Sequence, residues 1–483
     1  MRPTGGGQGG AGGQGPDQAG AAPKFVTGSL MRHVVVMALS GTLALSFTFL
    51  IDFLALWWIS RLKDERLIAA VGIGGTIQFT IMSISIGLMI ACVAMVSRAL
   101  GTGNRERARH IATASVLLTV AVQGALTLLV YVFRRPVLVL SGAEGDVLEL
   151  ADHFLAVSLP SMPLIAVGIL TSGVLRAVGD AWRSMLVTII AGAVAAVLDP
   201  ILIVWAEGGI TGAALSILLA RAAMAAAGLY HVIHTHRMLA RPDLFEAKSL
   251  AAPYFAIALP AIATQLSPPF GSWAMTRAIA EHGDSAIAGL GVVGRLTVLA
   301  FGGIFALSGA IGGIIGQNHG ADRPDRVAEA FRAALVYAFV YTLIAWAAMA
   351  ALTGPVIAAF GLSAGGADVV RAFTHVAAGS FVFTGVLFVA NATFNNLGRP
   401  LWSTVANWTR DAALLWPLAV VMGHAFGAVG VIWAQAVANV VLGIAAGWVA
   451  ARFIAGLVRK KEETARKEPT DARIEAAEEA PFG

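Results

Sequence analysis

"VSRALGTGNRERAR", residues 96–109, reads as the end of one apolar helix, a glycine-marked turn and the basic start of the next. It returns as "IGQNHGADRPDRVA", residues 315–328, with Gly101 over Gly320 and Arg107 over Arg326, 219 positions apart in both pairs (101 to 320, 107 to 326). The same spacing joins "GVLRAVGDAWRS" (173–184) to "ATFNNLGRPLWS" (392–403), through Gly179 with Gly398 and Ser184 with Ser403, and it joins Gly72 to Gly291. Three glycine-marked loops that share one offset indicate a duplicated unit. The register drifts by about one residue near the end of each half, where Gly212 best matches Gly430.

What is duplicated follows from composition. The chain of 483 residues is 57% hydrophobic and 13% charged, with a mean hydropathy of +0.77, far more apolar than a soluble domain. Between residues 31 and 456 it divides into apolar runs of about twenty residues, each long enough to cross a hydrocarbon core roughly 30 Å thick. Lipid offers backbone groups no hydrogen-bond partners, so runs of this length without period-two alternation predict helices. The runs are 33–59, 68–97, 110–133, 151–175, 184–205, 210–233, 252–279, 286–315, 328–353, 371–395, 402–423 and 428–455. The expected fold is an all-α integral membrane protein of about twelve transmembrane helices in two pseudo-symmetric six-helix lobes. Six is even, so the two halves are parallel repeats related by an axis along the membrane normal, an arrangement common in transporters.

The predicted organisation is a disordered cytoplasmic tail (1–30, rich in Gly and Gln), an N-terminal lobe (31–236), a polar linker (237–251), a C-terminal lobe (252–456) and a charged tail (457–483). The first tail lacks the apolar core of a signal peptide. Arg and Lys concentrate in alternate connections, at Arg98–Arg109, Arg176, Arg183, Arg237–Lys248, Arg323–Arg332 and Arg459–Lys461. The positive-inside rule then places both termini in the cytoplasm, in the plasma (inner) membrane. The net charge of +5 reflects that orientation and not a nucleic-acid surface. The lone cysteine, Cys92, excludes an intramolecular disulfide.

Asp52 and Asp199 are the carboxylates deepest in apolar helix. A charge there is costly to insert and marks a functional candidate facing a cavity. Burial and a like-charged neighbour both disfavour the ionised form, so the pair suits proton exchange. Pro200, directly after Asp199, removes a backbone donor and predicts a hinge beside that carboxyl. Arg410 and Asp411 form a candidate polar pair in the eleventh helix, inclined to a structural role. His231, His234 and His236 read as a solvated helix end, and no metal site is expected. "GTGNRE" and "GIGGTI" lack the continuation of a phosphate loop, so no ATPase engine is expected. No cofactor is expected either, and energy would come from an ion gradient.

These residues resemble the MATE (multidrug and toxic compound extrusion) transporters along nearly all of 31–456. The resemblance is carried by "LIDFLALWWISRLKDERLIAAVGIGG" (50–75), "GVLRAVGDAW", "LDPILI" (198–203), the long "IALPAIATQLSPPFGSWAMTRAIAEHGDSAIAGLGVVGRL" (257–296), "GQNHGADRPDR" and "NNLGRP" with the following Arg410 and Pro417. It implies a V-shaped pair of lobes and an antiporter, not an enzyme, that exports organic cations or other amphipathic xenobiotics by alternating access in exchange for protons or sodium ions. It also implies that Asp52 and Asp199 are the cation-coupling residues. Similar proteins often carry an Asn at the position of Ala195 and a Thr at that of Ile217. Sodium needs several oxygen ligands and a proton needs one basic site, so these losses favour H+, with Na+ kept as the alternative. "ALSG" replaces a proline-bearing "ALP" in the first helix, and the C-lobe has no carboxylate matching Asp52, its region reading "PPFGSW". Phe53, Trp57, Trp58, Trp273, Met275 and Trp408 are the substrate-cleft candidates, because aromatic faces attract organic cations and methionine adapts its shape. For Trp57 and Trp58 an interfacial anchoring role is equally expected. A flippase for lipid-linked precursors would need a cluster of cations within the helices, and none is evident. The expected partners are a small amphipathic or cationic substrate and the bilayer, with the chain a monomer.

Overall fold

The computed structural model describes residues 23–478, with side chains to residue 466. It is built from helices: α1 (Leu30–Ser60), α2 (Glu65–Gly101), α3 (Arg105–Val132), α4 (Gly145–Ala177), α5 (Ala181–Trp205), α6 (Gly209–Thr235), α7 (Leu244–Ala280), α8 (Asp284–Gly320), α9 (Pro324–Ala359), α10 (Ala364–Asn396) and a last stretch from Pro400. That last stretch breaks at Gly427 (φ 67°, ψ −155°), a conformation open to glycine alone, and so makes two crossings, α11 (400–426) and α12 (428–478). Several spans start at Asx caps. Asp64, Asn104, Asp180 and Asp243 each accept a backbone N–H from the first turn that follows. The helices outrun the predicted apolar runs because amphipathic turns extend them past the hydrocarbon. In particular α7 takes in 244–251 of the predicted linker, and α12 runs on through 457–478 of the predicted C-terminal tail.

The repeat is a repeat of packing. Helices α2 and α4, with their counterparts α8 and α10, are the most enclosed, and the others are flank. The first helix of each half is shared between the lobes. The beginning of α1 (Leu30, Val34, Met37, Ala38) lies in the core of the C-lobe, and the beginning of α7 (Tyr254, Ala258) lies in that of the N-lobe. Gly41 lets α1 touch α8, where a Cβ would stand 2.9 Å from that of Ala306, and Gly87 lets α2 touch α7, where a Cβ would stand 2.7 Å from the Cα of Ile262. Farther along, both helices return to their own halves: Gly192 of α5 admits Phe47 and Ile51 of α1, and Gly271 of α7 faces Asp411 of α11.

The tightest seam is at the face that carries both described terminal segments. A Cβ on Gly101 would lie 2.1 Å from the Gln317 carbonyl oxygen, and one on Gly320 would lie 2.1 Å from that of Arg98. Arg98 Nη2 donates to the Asn396 carbonyl (2.5 Å) while Gln317 Nε2 donates to the Ala177 carbonyl (2.6 Å). Arg98 and Gln317 are 219 positions apart, as are Ala177 and Asn396. The seam is therefore two reciprocal bonds around a pseudo-twofold axis that passes between Gly101 and Gly320. Overpacking of this kind costs about 1–3 kcal/mol. Gly320→Ala is accordingly expected to widen the distance between spin labels on Arg107 and Arg323; an unchanged distance would show that the seam absorbs the methyl group.

The predicted disordered tail 1–30 is corrected in part. Residues 1–22 lie outside the described residues, but Lys24–Val26 form a 3₁₀ turn with Phe25 fully buried against both lobes.

Candidate functional site

The close approaches between lobes fall in the half nearest the termini. In the other half α1 packs on α5 and α7 on α11, each within its own lobe, so the lobes diverge into a wedge that opens away from the terminal face. The candidate residues are distributed between the two lobes that flank it.

In the N-lobe wall, Asp199 ends the regular part of α5. Pro200 has no N–H for the carbonyl one turn back, and 200–205 relaxes into a π-helical turn. Asp199 is 3% exposed. Its Oδ1 accepts from Ser216 Oγ of α6 at 2.5 Å, whereas Oδ2 is buried without a hydrogen-bond partner. Asp52, on α1, is an exposed side chain within electrostatic range of Asp199 and of Arg221, with no hydrogen bond to either. Arg221 of α6 donates to Ser161 Oγ at 2.7 Å. The structure thus brings the two acids to one locality and adds a hydroxyl and a guanidinium. Among the described residues that second oxygen of Asp199 has no hydrogen-bond partner, which leaves it available to a proton, a water or a cation.

Ser216 revises one inference from the residues. The oxygen counted as lost at Ile217 is supplied one position earlier, because α6 presents Ser216, and not Ile217, to α5. Neither Ser216 nor Arg221 carried a role in the sequence reading. A serine in apolar helix is unremarkable without its neighbour, and an arginine there can equally snorkel to the interface or pair.

In the C-lobe wall, Arg410 and Asp411 sit in a second π-helical turn, Thr409–Leu415. Arg410 Nε and Nη2 donate to the two Asp411 oxygens (2.7 and 2.9 Å), and Ser267 Oγ donates to Oδ2 at 2.6 Å. Both residues are buried. Gly271, which stands where the repeat would put a counterpart of Asp52, makes room for the Asp411 carboxyl, 3.1 Å from where a Cβ would lie. One wall thus holds two acids without a joining ion pair, and the other holds one acid fully engaged by its neighbour.

The aromatic candidates divide. Phe53 and Trp273 are well exposed, at 61% and 55%. Trp273 stacks on Trp416 (centroids 5.3 Å apart), and Phe270 touches both Trp273 and Trp408, giving the C-lobe an aromatic wall to which the sequence reading contributed only Trp273 and Trp408. Trp408 is also a strut, its Nε1 donating to the Ala263 carbonyl at 2.8 Å in the proline-interrupted α7. Met275 is corrected: it is 4% exposed and lies in the C-lobe core, because the face of α7 that carries Ala274, Ala278 and Ile279 turns inward there. Trp58 is partly buried, packing against Ile59, Ile203 and Ala213. Trp57 lies under the Arg61 guanidinium at 4.5 Å, an arrangement suited to an interfacial anchor.

The histidine tract has separate partners. His231 meets Thr235, His234 stacks on Tyr230, and His236 Nε2 lies 2.8 Å from Asp180 Oδ2. Burial works against ionisation of Asp180, yet the backbone N–H and guanidinium of Arg183 together with His236 outweigh it and hold this carboxyl below its ordinary value. A lowered carboxyl pKa adds stability that is complete above the unfolded value and lost as pH falls through the folded one. Asp180→Asn should therefore lower the melting temperature near neutral pH and leave it unchanged in strong acid; equal losses at both pH values would disprove the link.

The profile of the MatE family matches residues 42–201 and 260–421, one stretch in each lobe. A protein described as an FAD transporter from Shewanella oneidensis is 26% identical over 403 residues, covering 82% of this chain and 89% of its own. The multidrug export protein MepA of Staphylococcus aureus is 22% identical over 422 residues, covering 86% and 92%. Among solved structures, an outward-facing multidrug resistance MATE family transporter of the MOP superfamily superimposes with a TM-score of 0.84 at 21% identity, over 90% of this chain and 98% of its own. A MOP superfamily transporter from Pyrococcus furiosus gives 0.83 at 21% identity over the same shares. With the two-lobed packing, the 219-residue repeat and a family match in each half all in agreement, the chain belongs to the MATE family of multi-pass membrane transporters.

Proposed function

We propose that the protein is a secondary antiporter that exports amphipathic organic cations in exchange for protons, by rocking of the two lobes. The observation that carries this reading is Asp199: buried, held on one oxygen by Ser216, without a hydrogen-bond partner on the other among the described residues, and within the influence of Asp52, which is in turn coupled to Arg221. Proton uptake there changes the charge balance among three side chains without needing a full coordination shell. Coupling by sodium is the weaker alternative, because among the described residues Ser216 is the one side-chain oxygen hydrogen-bonded to Asp199 and a sodium ion would draw its remaining ligands from carbonyls and water. The aromatic wall of Phe270, Trp273, Trp408 and Trp416 supports an aromatic or cationic substrate. A second reading, export of a flavin dinucleotide, draws on the relative described as an FAD transporter and on the same ring surface. The orientation proposed has the Arg- and Lys-rich terminal face in the cytoplasm and the wedge open to the outside, in the inner membrane, with the chain acting as a monomer.

The test is uptake into proteoliposomes of a panel of lipophilic cations and of FAD, under a pH gradient and a sodium gradient imposed separately. Cation transport under the pH gradient alone supports the reading; transport under sodium alone, or of FAD alone, replaces it with the corresponding alternative.

A further inference from the structure

Residues 23–28 precede the first crossing, and the transport reading gives them no task. They lie across the seam of the terminal face. The Phe25 backbone N–H donates to Gln317 Oε1 at 2.9 Å, and its carbonyl accepts from Asn318 Nδ2 (3.1 Å) and Arg326 Nη2 (3.2 Å). The Gly28 carbonyl accepts from the same guanidinium nitrogen at 2.9 Å, while Arg326 Nε is steadied by Asn318 Oδ1 at 3.1 Å. All of these partners belong to α8 and α9 of the C-lobe. On the other flank, Lys24 Nζ donates to the Gly179 carbonyl at 2.7 Å, in the α4–α5 turn of the N-lobe. The Lys24 and Phe25 side chains roof Gly179, at 2.8 and 3.1 Å from where a Cβ would stand.

Two features separate this segment from ordinary terminal packing. It grips Gln317, whose other end makes the C-lobe half of the reciprocal seam by donating to the Ala177 carbonyl. It is also single where the seam is twofold: Gly398, 219 positions beyond Gly179, has nothing within 4 Å of its Cβ position. The segment is thus an addition to a seam that is already closed on its own.

We propose that residues 23–28 are a removable latch that holds the terminal face sealed. When the lobes part at this face, the Gly179 turn moves away from Gln317 and Arg326, and six residues bound to both sides cannot follow both. The latch fits only the sealed arrangement, so while seated it shifts the population toward the wedge-open state, and its departure is a condition for opening at the terminal face. The inference concerns the gate and does not depend on which ion or substrate the wedge serves.

The test uses the full-length chain with Cys92→Ala and a reporter Ser97→Cys, a fully buried seam position beside Gly316. Thiol labelling is compared with that of the same protein carrying Lys24→Ala and Phe25→Ala, and with a chain that lacks residues 2–28. A control reporter, Ser158→Cys, sits equally buried in the far half of the N-lobe, where it meets Gln78. The latch requires labelling at Ser97→Cys to rise at least fivefold in both altered proteins, with the control unmoved. Unchanged labelling at Ser97→Cys overturns it, and so does a rise at both reporters, which would mean a general loss of packing.

Discussion

Asp199→Asn is expected to reduce coupled transport by at least a hundredfold while the protein folds and purifies like the parent. The amide has the shape of the carboxyl and its oxygen still accepts from Ser216 Oγ, so the packing between α5 and α6 is kept. What is lost is the ability of that position to take up and release a proton, and with it the change of charge opposite Asp52, itself coupled to Arg221. A drop this large corresponds to about 2.8 kcal/mol at roughly 1.4 kcal/mol per tenfold, which is the scale of one lost charge interaction in a protected site. Substrate-induced proton release from proteoliposomes gives the measurement, with thermal unfolding in detergent as the folding check. Wild-type exchange by Asp199→Asn would remove Asp199 from the coupling step and leave Asp52 to carry it alone. Ser216→Ala serves as the companion variant: it removes the one contact on Oδ1, so it should shift the pH dependence of transport without abolishing it.

Asp411→Leu is expected to have the largest effect on stability, a loss of about 3–5 kcal/mol, because it leaves the Arg410 guanidinium buried without its counter-ion. The double variant Arg410→Met with Asp411→Leu should recover most of that loss, since well-packed apolar residues often replace a buried ion pair without net cost. Ser267 then loses its acceptor, a smaller cost of about 1–3 kcal/mol unless its hydroxyl turns to a backbone carbonyl. Unfolding temperatures of the single and double variants decide the matter. If the double variant folds and transports, the pair is structural, as its closed bidentate geometry indicates. If it folds and does not transport, the C-lobe pair takes part in the transport cycle, and coupling is shared between lobes.

Read along the chain alone, apolar run length and the 219-residue spacing determined the membrane class, the twelve crossings and the two related halves, because lipid leaves the backbone no other choice and duplicated glycine turns keep their positions. Asp52 and Asp199 stood out for a similarly local reason: a charge in an apolar run is conspicuous without knowledge of its neighbours. Only the tertiary structure decided what those charges meet. Ser216 and Arg221 belong to a different helix from Asp199, and no local pattern marks a serine as the one that faces it. Met275 was misplaced because composition cannot say which side of a helix turns to the core, and on α7, interrupted by Pro260, Pro268 and Pro269, that side follows neighbours more than period. The exchange of α1 and α7 between lobes, the reciprocal bonds of Arg98 and Gln317, and the seat of Phe25 are contacts between residues far apart in sequence. They depend on two halves meeting at one axis, a condition that neither half contains by itself.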